Sequence, residues 1–160
     1  MSDAQPASRA ISRRDLRLLI FVSGVLGGLV VGILYVLLSV LPMVAQIRTA
    51  HPNYYDPTGV IVSAFVFASV QGALYGLASS LGACLIAAMA VRVRSTANLE
   101  VLATFLGAIA GLAAIYLVLP PALDSFRLGF VAIAGVVGAL WFAYLTTLYR
   151  RAKSRSRSVL

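Results

Sequence analysis

Residues 18–41, LLIFVSGVLGGLVVGILYVLLSVL, carry no charged side chain and run up to Pro42. At about 1.5 Å of rise per residue, such a run is long enough to cross a hydrocarbon core of roughly 30 Å as a helix. Three further runs share its character, at 57–91, 99–119 and 128–148. The chain of 160 residues is 61% hydrophobic and 11% charged, with a mean hydropathy of +0.95, a balance that suits lipid as solvent rather than water. The expected fold is therefore an all-α membrane protein, a single four-transmembrane-helix bundle over residues 18–149. Basic tails at 1–17 and 150–160 flank it, and the loops leave no room for a separate soluble domain.

Local signals place the ends of the spans. Asp56-Pro57 reads as a helix opening, the carboxylate capping free N–H groups and the proline occupying the first helical position. Glu100 falls in the first turn of the third run, where a negative charge suits the helix dipole, and Pro120-Pro121 closes that run. The short link to the fourth run makes helices three and four antiparallel neighbours, and the whole chain reads as antiparallel hairpins.

Every Lys and Arg except Arg48 and Arg127 lies on one side of this arrangement, in 9–17, 92–94 and 150–157. Basic residues beside membrane spans remain on the cytoplasmic side, so both termini are expected there, N-in and C-in. The net charge of +8 is thereby assigned to topology rather than to nucleic acid. The basic tails are expected to meet anionic lipid headgroups, and phosphorylation of Ser154, Ser156 or Ser158 would weaken that contact. Lys153 is the lone lysine among arginines, a usage that points to a GC-rich genome and a bacterial plasma membrane. Ser12-Arg13-Arg14-Asp15-Leu16-Arg17 resembles a twin-arginine export signal. The apolar stretch after it is far longer than a signal h-region, and Met43-Val44-Ala45 is a poor cleavage site, so the paired arginines read as a cytoplasmic anchor. Trp141, Tyr144 and Tyr149 fit an interfacial belt at the inner end of helix four.

Small residues at four-residue spacing let helix backbones approach in a bilayer. They occur in every span: Gly24, Gly28 and Gly32 in the first, Gly72 and Gly76 in the second, Gly107 and Gly111 in the third, Gly138 with Ala134 in the fourth. Packing within the chain accounts for such stripes; the alternative is that the three-glycine stripe of helix one stays free for another chain. Helix two is unusually long. Residues 60–91 would extend about 48 Å, which needs a tilt near 50° to fit the core. It must protrude, pack obliquely or break near Ser79-Ser80-Gly82, and its apolar outer part calls for a cover: the outer end of helix one, the loop 48–56 or a partner protein.

Chemistry is sparse. The sequence is read as four spans without ionisable residues at depth, the usual mark of proton relays and ion paths. Gln71, Tyr75 and Ser79 form the most polar track, either for a solute or for hydrogen bonds between helices with Thr104 and Tyr116 as partners. His51 and Asp56 share a loop but are too few for a structural zinc site, and the lone Cys84 supports neither a disulfide nor a thiolate cluster within the chain. No nucleophile elbow, nucleotide loop or paired titratable groups are found, so no catalytic residue, metal or cofactor is expected. The reading is a non-catalytic accessory or assembly subunit, bound to a partner membrane protein or to itself. The alternative is an oligomeric transporter or channel for a neutral or apolar small solute.

Overall fold

A computed structural model describes residues 12–50, 57–92, 96–118 and 128–157, and all secondary structure among the described residues is helical. Four helices are long and apolar enough to cross a membrane. We number them α1 (Arg13–Ala50), α2 (Thr58–Arg92), α3 (Ala97–Val118) and α4 (Leu128–Arg157). The His51 to Asp56 loop and the Pro120-Pro121 link lie outside the described residues.

α1 opens on a reciprocal capping box. The Ser12 hydroxyl accepts from the Asp15 N–H at 3.1 Å, and the Asp15 carboxylate accepts from the Ser12 N–H at 2.9 Å. The helix does not stop at Pro42, contrary to expectation, but continues to Ala50. A proline removes one N–H and its ring crowds the carbonyl four residues back, which ordinarily breaks a helix. Here a single wide turn, Val36–Val40, is wound as π-helix and takes up the mismatch; the Leu41 N–H donates to the carbonyl of Val36, five residues back. Pro42 thus sits at the start of a fresh α-helical segment, Leu41–Ala50, which needs no N–H from it.

α2 is one uninterrupted α-helix of 35 residues, about 52 Å long, with no break at Ser79, Ser80 or Gly82. Its first turn closes through the Ile61 N–H, which donates to the Pro57 carbonyl at 2.9 Å. α4 also exceeds its sequence-based limit. It runs to Arg157, so most of the basic stretch expected as a tail is a continuation of the helix.

The seams are made by backbone rather than by side chains. A Cβ built on Gly24 would lie 2.7 Å from the Gly76 carbonyl oxygen and 2.7 Å from the Ser80 Cβ. One on Gly28 would lie 2.8 Å from the Gly72 carbonyl carbon, and one on Gly32 would lie 2.7 Å from that of Ala68. Carbon atoms rest at roughly 3.5–4.0 Å, so none of these positions of α1 accepts a side chain without moving α2. The second seam joins α2 to α3: a Cβ on Gly82 would meet Gly111 Cα at 2.9 Å, and one on Gly107 would meet the Gly82 carbonyl carbon at 2.9 Å. Gly82, considered above as a break point, is a contact point. The three-glycine stripe of α1 is engaged within the chain and is not free for another.

α4 is held differently. Toward one end of the bundle, Leu16 and Ile20 of α1 gather with Phe142, Leu145 and Tyr149 of α4 and with Ala83 and Ala108 from the middle helices. Toward the other, Tyr35 and Val36 of α1, Ala68 and Tyr75 of α2 and Val131 of α4 form a second cluster. Between these two anchors α4 stands away from α1.

Candidate functional site

The gap between α1 and α4 is a cleft of about 450 Å³. Its floor is the α1–α2 seam, where Gly24, Gly28, Gly72 and Gly76 line it without side chains, and Leu112 of α3 borders it. Its two rims carry glycines that touch nothing: a Cβ built on Gly27 or on Gly138 would find no atom within 4 Å. Gly138, expected at a helix contact, therefore faces the cleft, because α4 packs on α3 through Gly135 instead, which lies under the Leu112 side chain.

Of the polar track read from the sequence, Tyr75 and Ser79 line the cleft and Gln71 does not. All three are buried. The Gln71 amide donates to the Tyr75 hydroxyl at 3.2 Å, one turn along the same helix, and the Ser79 hydroxyl donates across to the Ala108 carbonyl at 3.1 Å. Ser23, on the α1 rim, donates to the Ile20 carbonyl at 3.1 Å. The Gln71, Ser79 and Ser23 side chains donate inside the protein, as polar groups in an apolar solvent must, and the surface left to an occupant is mainly hydrocarbon. The geometry suits an apolar guest and offers little to an ion.

A second polar centre lies at the end of the bundle where Arg13, Arg17, Val91 and Glu100 surround a chamber of about 20 Å³; we call this the basic end. The Glu100 carboxylate is buried, and its partner is the Arg150 guanidinium, reached across from α4. Beside them the Thr104 hydroxyl donates to the Glu100 carbonyl at 2.8 Å, and the hydroxyls of Thr104 and Thr146 lie 3.4 Å apart. Thr104, expected as a partner of Gln71, belongs to this centre. A carboxylate and a guanidinium thus pair inside the bundle, where the sequence leads one to expect no paired titratable groups. From sequence the pair is split, Glu100 reading as a helix-end charge and Arg150 as part of a tail. The signal that would have found it is that Glu100 is the sole glutamate in the chain and stands one turn inside an apolar run, on the side crowded with arginines.

Among the described residues no group of three His, Cys, Asp or Glu side chains is placed to share a metal ion. Trp141 and Tyr144 sit half exposed on the outer side of α4 with ring centroids 5.9 Å apart, and Trp141 reaches the edge of the cleft. The chain matches no protein-family model, no curated protein and no solved structure.

Proposed function

We propose that this chain is a non-catalytic subunit of a larger membrane assembly, oriented with both termini in the cytoplasm, its helices alternating in direction, and joined to a partner membrane protein through the outer end of α2. One observation carries the reading. Contacts between α2 and α3 step in opposite directions, Gly82 by Gly107 and Ala78 by Gly111. Continued along both helices, this pairing sets Val118, the last described residue of α3, level with Gln71. Thirteen residues of α2, from Thr58 to Val70, then stand beyond it, about 20 Å of helix.

α3 alone, 22 residues and about 33 Å, suffices to span the hydrocarbon core. The surplus on α2 is therefore outside that core or at its edge, yet it is apolar. Tyr35, Val36 and Val40 of α1 cover one side of it, against Ala64, Phe65 and Ala68. Val62, Val66 and Val70 fall on one face at four-residue spacing and are exposed, as is Phe67 beside them. Burying a valine removed from water contributes about 1.5–3 kcal/mol, so this face favours a protein cover. The non-catalytic part of the reading is supported by the engagement of the buried Glu100 carboxylate in an ion pair with Arg150.

The test is native mass spectrometry of the chain extracted with its own lipids into nanodiscs, compared with a Val62→Asp/Val66→Asp variant. The proposal expects a stoichiometric second protein that the variant loses while α1–α4 stay folded. A chain that travels alone, or a companion indifferent to the two aspartates, overturns it. The cleft favours a second reading, an oligomer that carries an apolar small solute; a retained small molecule lost on Gly27→Leu would mark it.

A further inference from the structure

We propose that the Glu100–Arg150 ion pair is a register lock: it sets the level at which α4 stands against α3, and through that the shape of the cleft between α4 and α1. The need for a lock follows from the packing. Where α4 meets the middle of α3 the contact is made over small residues. Leu112 lies over Gly135, and Ala139, fully buried in the same cluster as Ala108, comes one turn later on α4. A slide of α4 by one turn, about 5.4 Å, would offer Leu112 another small residue, and in a solvent as apolar as the helices no hydrophobic term opposes it.

The charges distinguish these registers. In the native register Arg150 reaches the buried carboxylate of Glu100. A slide one way brings Lys153, three residues further along α4, to Glu100 and carries the Arg150 guanidinium in toward Thr104, where it has no carboxylate. A slide the other way sets Glu100 against the Thr146 region, away from both Arg150 and Lys153, with only Arg13 and Arg17 of α1 at the edge of its chamber. Either displacement breaks the buried Glu100–Arg150 pair, the most costly of the contacts that can be lost here. The Thr104–Thr146 pair beside it reinforces the same level. Arg150 and Glu100 are thus positioning residues for the cleft, though neither lines it.

The test reads register directly. In full-length protein with Cys84→Ala, nitroxide labels go on Gly27→Cys and Gly138→Cys, two positions with open space around them. The EPR distance distribution is expected to be single and narrow. Arg150→Gln should add a second population displaced by about one helical turn, and this population should vanish when Lys153→Gln is added. Glu100→Gln should broaden the distribution without a Lys153-dependent component. The exchange Glu100→Arg/Arg150→Glu should restore the narrow distribution, which also keeps the proposal testable where a single variant fails to fold. An Arg150→Gln distribution identical to the parent, a second population indifferent to Lys153, or an exchange that rescues nothing overturns the lock.

Discussion

Gly28→Ala and Gly27→Ala are neighbouring substitutions of the same kind, and the structure expects them to act with opposite sign. A methyl group on Gly28 would press on the Gly72 carbonyl, with the carbonyl carbon at 2.8 Å and Gly76 Cα at 3.1 Å. Both obstacles are backbone, so neither can swing aside, and α1 must move off α2 by about 1 Å to restore ordinary carbon–carbon spacing. A gap of that size forfeits a quarter to a half of the dispersion energy of each contact it opens, and the seam extends to Gly24 and Gly32, so the loss is shared along three turns. Overpacking of this kind costs about 1–3 kcal/mol, against which alanine's better helix propensity returns roughly 0.8–1 kcal/mol. With the obstacles being backbone, the upper part of that range applies, and Gly28→Ala is thus expected to destabilise by up to about 2 kcal/mol. At Gly27 the added Cβ meets nothing, so only the propensity remains and the variant should be neutral or up to about 1 kcal/mol more stable. Reversible unfolding in mixed detergent micelles, with both variants measured against the parent, gives the difference. Equal values for the two, or a Gly28→Ala no less stable than the parent, would refute the account of the seam, and Gly28→Leu should then be tolerated as well.

Three further outcomes follow from other parts of the chain. Glu100→Ala should destabilise by about 1.5–3 kcal/mol, the range for a hydrogen bond to a charged group, with Glu100→Ala/Arg150→Leu closer to the parent than either single change; a thermal shift series checks this. Pro42→Ala returns an N–H to α1 and allows the wide turn at Val36–Val40 to close into ordinary α-helix, rotating the segment after it by about one residue; Val44, now buried, should become reactive as Val44→Cys only in that background. Reporter fusions after Arg157 and within the 51–56 loop should be active on opposite sides of the membrane, the former cytoplasmic; two reporters on the same side would sink the orientation.

Helix number and the approximate limits of the apolar runs were readable because lipid imposes one rule on every residue of a span. The same rule explains what was missed. Pro42 reads as a stop because sequence shows the lost N–H but not the π-turn that accommodates it. Arg150 reads as tail because the apolar run has ended, whereas the helix itself continues through basic residues that pay no lipid cost at that depth. The four-residue spacing of Gly24, Gly28 and Gly32 predicts a close face on α1 but not its partner, since spacing alone is the same for a stripe that meets α2 and for one that meets another chain. Gly27 and Gly138 show the limit from the other side: both sit in small-residue stretches, and only the divergence of α4 from α1 leaves them facing open space. That divergence depends on where the Val131 and Leu145 ends of α4 are anchored, which is information between helices rather than within any one.

The close seams join helices that are consecutive in the sequence, α1 to α2, α2 to α3 and α3 to α4, while the open one joins the first helix to the last. Such an order suits assembly during synthesis, since each new span finds its partner already in the bilayer and only short loops need to close. The glycine faces of α1 and α2 can zip together before α3 has been made. The cleft is then the one junction that must wait for the whole chain, and it forms last, between surfaces that have been separate for the longest time.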